Sequence, residues 1–183
     1  AAISPDGSAL AVSDPGSKTV HFVDVAQGSQ TAYQIAGSIV FDDKGEIRQI
    51  AYHPSGRYLY LPVRDPNAAE ILVVDADPVS PAYRTVLSTF ALPGAAPQEI
   101  PVSLSFTPDG ARCLVLTAQQ TGAPDRTVLL LDTSSPVQPA VAATLSLGGT
   151  IASFTDEIDV SPRGDRAIAS VLGGGFFHIE VRR

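Results

Sequence analysis

The chain has 183 residues, with 12 Lys and Arg against 19 Asp and Glu, a net charge of −7, one Cys and neither Met nor Trp. A surface of that sign repels phosphate backbones and anionic headgroups, which argues against nucleic acid and membrane surfaces as partners. Cys113 is the sole cysteine, so an internal disulfide and a cysteine-based zinc site are both excluded.

At 44% hydrophobic the chain can bury a core without covalent staples. Its longest uncharged stretch, 133–155, is broken by Pro136, Pro139, Gly148 and Gly149, which disfavours a membrane-spanning helix. It opens on Ala1-Ala2-Ile3, with neither Met nor a charged-then-apolar leader, and is expected to be a processed or partial segment.

Four copies of one turn divide the chain: Ser4-Pro5-Asp6-Gly7, His53-Pro54-Ser55-Gly56, Thr107-Pro108-Asp109-Gly110 and Ser161-Pro162-Arg163-Gly164, their prolines 49, 54 and 54 residues apart. Proline presets φ at the second turn position, Asp or Ser bonds nearby amides, and glycine accepts positive φ. Ahead of each turn stand apolar residues at alternating positions: Ile3, then Ile50 and Tyr52, then Leu104 and Phe106, then Ile158 and Val160. That period of two predicts a first strand.

A second strand follows each turn, with Leu10 and Val12, Leu59 and Leu61, Cys113 and Val115, and Ala167 and Ala169 on one face. A third runs through Val20–Val23, Ile71–Val74, Val128–Leu131 and Phe176–Ile179, apolar at nearly every position, and ends at an acidic anchor: Asp24, Asp75, Asp132 or Glu180. A fourth, weaker strand is expected at Thr31–Ile35, Tyr83–Phe90 and Val141–Leu147.

Four antiparallel strands per unit, apolar on both faces and joined by tight turns, predict an all-β propeller. The blades fall at approximately 1–40, 41–95, 96–150 and 151–183, or about three and a half blades. A sandwich would show polar outer faces on most strands, and no segment sustains a helical period.

The stretch Tyr52-His53-Pro54-Ser55-Gly56-Arg57-Tyr58-Leu59-Tyr60, with its copies at Ser4-Pro5-Asp6-Gly7 and Thr107-Pro108-Asp109-Gly110, resembles the blades of YVTN-repeat and lactonase-like β-propellers. The resemblance covers the whole chain as a blade pattern and implies a ring of about seven blades. The ring would be completed by the remaining blades of the same protein or by another chain. In such propellers the loops entering the first strand and those joining the second to the third meet at the mouth of a central channel. Mapped onto this sequence, the candidate ligand- or partner-binding residues there are Arg48, Arg64, Asp65, Glu99, Asp156 and Glu157.

Asp156, Glu157 and Asp159 form the densest carboxylate group, and strand geometry puts Glu157 and Asp159 on one face. Such a pair suits calcium ligation or acid–base work, and equally suits solvated charges at a strand entrance. Asp42-Asp43-Lys44-Gly45-Glu46 lacks the alternating oxygen ligands of an EF-hand and reads as a charged turn. The acidic anchors and the turn residues Asp6 and Asp109 recur once per unit, so they build the repeat. His53 takes a turn position, whereas His21 and His178 replace apolar residues of third strands, and no paired spacing links the three.

GxSxG, P-loop and GxGxxG signatures are absent, and Gly173-Gly174-Gly175 reads as a hairpin turn. Cys113 sits at a core position, as a buried apolar residue would. No cofactor is called for beyond the possible calcium. The leading expectation is a non-catalytic binding or scaffold propeller with a protein partner, extracytoplasmic on the strength of the resemblance. The alternatives are a lactonase-like hydrolase working at the channel and a propeller subunit of an electron-transfer or dehydrogenase assembly.

Overall fold

The computed structural model describes residues 1–65, 68–92, 99–119, 127–147, 157–171 and 175–181. The described residues are all β and turn, without a helix. Among the described residues sixteen strands form four antiparallel sheets. The first joins β1 (Ala2–Ile3), β2 (Ala9–Asp14), β3 (Thr19–Asp24) and β4 (Ile35–Val40) in that order.

The second contains β5 (Glu46–Ile47), β6 (Ala51–Tyr52), β7 (Tyr58–Arg64), β8 (Glu70–Asp75) and β9 (Val86–Ala91); β5 and β6 both pair with β7, as two halves of one interrupted inner strand. The third joins β10 (Glu99–Phe106), β11 (Arg112–Gln119), β12 (Thr127–Asp132) and β13 (Ala140–Ser146). The fourth joins β14 (Glu157–Val160), β15 (Arg166–Val171) and β16 (Gly175–Glu180). Every strand pairs only with strands of its own sequence unit, the arrangement of propeller blades.

The repeat extends to individual hydrogen bonds. In each turn the glycine N–H donates to the carbonyl three residues back, at Ser4, His53, Thr107 and Ser161, each 2.8 Å. These glycines, Gly7, Gly56, Gly110 and Gly164, lie at φ 71 to 75°, where a side chain would be strained. The acidic anchors cap the chain leaving the third strand: the Asp24 carboxylate accepts from the Ala26 amide, Asp75 from Asp77 and Asp132 from Ser134. Just before each of these three anchors the pairing to the fourth strand slips, at Phe22/Val23, Val73/Val74 and Leu130/Leu131.

The fourth strand of the first sheet is displaced from its expected place at Thr31–Ile35 to Ile35–Val40. Ser29 and Thr31 both donate their hydroxyls to Asp24, and Tyr33 adopts φ 65°, which together fold 26–34 into a turn. Side-chain hydroxyls compete there with the sheet ladder and win. In the second sheet the strand likewise begins at Val86, because Ser80 donates to Asp75 and Arg84 takes φ 66°.

Three apolar layers fill the spaces between consecutive sheets. Ala11, Val20 and Phe22 of the first sheet pack on Leu59, Leu61, Val63, Leu72 and Val74 of the second. The opposite face of the second sheet, with Tyr60, Ile71 and Val73, meets Leu104, Cys113, Val115, Leu129 and Leu131 of the third. Leu114, Leu116 and Val128 then meet Ile158, Ala167 and Ala169 of the fourth. Because β8 is covered on both faces, all six of its residues are buried, whereas the outermost strands β4 and β9 alternate between exposed and half-buried.

Candidate functional site: the axial cleft

The inner strands converge on a cleft of about 580 Å³ lined by residues that include Ala2, Gln49, Tyr52, Ser103, Ser105, Glu157 and Asp159. Its floor is built by the repeat. Ser103 Oγ accepts the Ile158 amide at 3.1 Å and Ser105 Oγ accepts the Val160 amide at 3.2 Å, so the third sheet's inner strand satisfies donors of the fourth's. Across the cleft, Gln49 Nε2 donates to Glu157 Oε1 at 3.4 Å.

Glu157 and Asp159 share the exposed face of β14, as their spacing requires. Calcium takes six to eight oxygen ligands. Among the described residues no group of three or more His, Cys, Asp and Glu gathers in a metal-binding arrangement. Asp156 lies outside the described residues. The backbone of Glu99 opens β10 opposite Gln119, and its side chain also lies outside the described part.

Arg48, Arg64 and Asp65 sit at the same end of the second sheet, together with residues of the charged turn before β5 that had not been singled out as site residues. Glu46 is directly opposite Arg64 in the β5–β7 pair. Its carboxylate meets Arg48 Nε at 2.8 Å and Arg64 Nη1 at 3.4 Å. The hydrogen bond from Arg48 holds the Glu46 carboxyl below its ordinary range. The Arg64 side chain is only 7% exposed, and that burial, reinforced by the neighbouring Arg48 charge, depresses its proton affinity against the pull of Glu46.

Beside them Lys44 Nζ pairs with the largely buried Glu70 at 2.8 Å, and the bond to Glu70 raises the lysine's pKa. Lys44 with Glu70, and Glu46 with Arg48 and Arg64, thus form two ion-pair groups at one end of the second sheet, next in the chain to the cleft-lining Gln49. Ser13 Oγ of β2 donates to the Arg48 carbonyl at 2.6 Å and fixes this corner to the first sheet. The clue available in the sequence was Glu46 beside Arg48, but only the register of the short β5 reveals Arg64 as its cross-strand partner.

At the opposite end a groove of about 500 Å³ separates the first two sheets, with Asp6, Asp24, Arg57, Asp77 and Tyr83 among its lining residues. Its charges also serve the scaffold. Asp6 accepts from Ser4 and Ser8, and the Ser4 hydroxyl chiefly lowers its pKa. Asp77 pairs with Arg57 at 3.1 Å.

The histidines divide by burial. His53 is buried, with Nδ1 against the Ser55 hydroxyl and amide and Nε2 at 3.0 Å from the Gly110 carbonyl. Since Ser55 N–H must find an acceptor, the ring is neutral with its proton on Nε2, and burial lowers its pKa accordingly. His21 Nδ1 lies 2.8 Å from Ser38 Oγ. His178 is exposed on β16 and therefore needs no buried partner. Cys113 is fully buried, which pushes its thiol far above the ordinary range and leaves it un-ionised.

No protein-family model and no curated protein sequence matches this chain. Solved structures do. The β-propeller domain of Myceliophteria thermophila Cps50 (Swd1) superposes with a TM-score of 0.67 at 11% identity, over 100% of this chain and 51% of that one. Kuenenia stuttgartiensis hydrazine synthase gives 0.67 at 16% identity, over 98% and 57%. A Bacteroides uniformis protein proposed as a 6-phosphogluconolactonase gives 0.68 at 14% identity, over 98% and 53%. The chain spans about half the length of these structures. At such identities the likeness concerns fold: the chain has the architecture of a β-propeller, matched along its whole length.

Proposed function

We propose that the chain is a non-catalytic propeller module that binds or scaffolds a protein partner. It forms one arc of a ring of about seven blades, completed by further blades of the same protein or of another chain. The carrying observation is the pairing of the ionisable residues at the end of the second sheet that leads into the cleft-lining Gln49. Lys44 pairs with Glu70 and Glu46 with both Arg48 and Arg64, and the serine–histidine contacts of the described residues, Ser38 with His21 and Ser55 with His53, lie outside the lining of the axial cleft. The half-length match to the propeller structures supports the arc.

One specific observation favours a second reading. Glu157 and Asp159 share one face in the axial cleft, as the acid and base of a lactonase-like hydrolase would, and one of the similar structures is proposed as a lactonase. The deciding experiment is a hydrolysis assay on 6-phosphogluconolactone and simple γ- and δ-lactones, with and without calcium. The module reading expects rates equal to buffer. Turnover that collapses in Glu157→Gln or Asp159→Asn would establish the hydrolase instead. An extracytoplasmic location belongs to the same proposal, and fractionation of the native cells with immunodetection tests it.

A further inference from the structure

The junctions between consecutive sheets are built on the same turn but are not filled alike. The turn of one sheet seats on the turn glycine of the next: a Cβ on Gly110 would lie 2.7 Å from the His53 ring, whereas one on Gly56 would lie 3.7 Å from Pro5. In the second junction His53 also packs edge-on against Phe106 at 5.2 Å, and Phe106 against Tyr60 at 4.9 Å. In the first junction the corresponding residues, one before the earlier turn proline and two before the later, are Ser4 and Tyr52. A small serine takes the place of the imidazole, and the groove of about 500 Å³ opens between two sheets that this chain itself supplies.

Of the residues at the later position, Tyr52, Phe106 and Val160, only Tyr52 carries a hydroxyl. Tyr52 is 8% exposed, yet it lines the groove, and its hydroxyl is within electrostatic reach of Tyr83 and Asp6, which line the groove as well. Burial above all raises its pKa, so the phenol stays protonated. Among the described residues no group hydrogen-bonds this hydroxyl. A polar group so nearly buried ordinarily has a partner, and here it faces a cavity.

The carboxylates around it set the charge of what fits. Asp6 accepts from the Ser4 hydroxyl and from the Ser8 hydroxyl and amide; Asp24 accepts from the Ser29 and Thr31 hydroxyls and the Ala26 amide. These donors, the Ser4 hydroxyl first for Asp6 and the Ser29 hydroxyl first for Asp24, hold both carboxyls below their ordinary range and therefore charged at neutral pH. Neither forms an ion pair among the described residues, whereas Asp77 has Arg57 at 3.1 Å. Arg84, 4.8 Å from the centroid of the Tyr83 ring, is engaged by the Ala36 carbonyl at 2.8 Å.

An ammonium suits this set better than a guanidinium. Every carboxylate oxygen of Asp6 and Asp24 already accepts a hydrogen bond, so neither offers the free edge that a planar fork binds bidentately. A point charge needs one acceptor and the field around it. We propose that the groove between the first and second sheets takes a lysine side chain of the module's protein partner. The ammonium donates to the Tyr52 hydroxyl oxygen and faces Asp6 and Asp24, while the aliphatic stem lies along Val23, Ala36 and Tyr83 of the lining. The inference rests on the module reading and names the chemistry of its partner.

The test is a titration of the whole isotope-labelled chain with Nα-acetyl-lysine methylamide at low salt, followed by amide chemical shifts. Saturable shifts at Ser8, Tyr52 and Tyr83 are expected in the millimolar range, and none with the same probe acetylated on Nε, which keeps the stem and loses the charge. Tyr52→Phe removes the hydroxyl alone and copies the residue at position 106, so the chain keeps its fold; it should weaken the probe about tenfold. Ala36→Leu, at an exposed position of the groove wall, fills the space without touching Tyr52 and should abolish the shifts. No saturable shifts, equal shifts from the acetylated probe, or either variant binding as the wild type overturns the proposal. An arginine analogue that binds as tightly overturns the choice of an ammonium. Lactone turnover plays no part in these measurements, so failure here is distinguishable from failure of the module reading.

Discussion

The third strands of the second and fourth sheets, β8 and β16, are built from similar apolar runs, Glu-Ile-Leu-Val-Val-Asp and Gly-Phe-Phe-His-Ile-Glu, and meet opposite fates. All six residues of β8 are buried. In β16 Gly175, Phe176, His178 and Glu180 are exposed and only Phe177 and Ile179 are half-buried. The difference comes from neighbours, since β8 has a sheet on each side and β16 on one. A propeller strand thus gains its burial from the sheet beyond its own, and the stability of the isolated chain should be graded from the middle sheets outward.

The largest test of that gradient is cavity formation in the second sheet. Leu61 is 0% exposed, so Leu61→Ala should lower unfolding free energy by ~2–5 kcal/mol in chemical denaturation. Ile168→Ala, at 52% exposed on the fourth sheet, should cost under ~1 kcal/mol in the monomer. Equal losses at the two sites would remove the gradient.

A smaller contrast uses the turn glycines. Gly7→Ala and Gly110→Ala place a side chain at the same positive φ, worth roughly 1–2 kcal/mol each. Only at Gly110 does the new Cβ also meet His53, at 2.7 Å. Gly110→Ala should therefore be the worse by ~1–3 kcal/mol, and that surplus measures the junction contact. Matching melting temperatures for the two variants would show that the seated turn contributes nothing.

The smallest expected effect is a pH dependence at the same junction. His53 is held neutral by burial, with its folded pKa below the ordinary value of 6.5. A depressed histidine pKa means the unfolded chain binds the proton first. The stabilisation is complete above pH ~6.5 and is lost as pH falls below it towards the folded pKa. His53→Gln should flatten that part of the stability curve, measured by thermal melts from neutral to mildly acidic pH. A wild-type curve without such a fall would place the His53 proton elsewhere.

What could be read from the sequence was whatever recurs. Proline and glycine spacing located the turns, and apolar runs located the third strands, because both signals are local and repeated four times. The fourth strand of the first sheet slipped because Ser29 and Thr31 look like strand residues until their hydroxyls find Asp24. At the candidate site, the shared face of Glu157 and Asp159 followed from strand geometry. The pairing of Glu46 with Arg64 did not, since it depends on the register of a two-residue strand. His178 takes an apolar residue's place in a third strand and is nevertheless exposed, because burial of a third strand is set by what lies beyond its sheet.

The pairing of strands only within their own units bears on how the chain folds. Hairpins close over short loops, so each sheet can form early at modest entropic cost, before any distant part of the chain is in place. The apolar layers between sheets are then the late, cooperative step. In the isolated chain amide exchange should be slowest in β7, β8, β11 and β12, whose sheets have such a layer on each face, and faster towards β2 and β16.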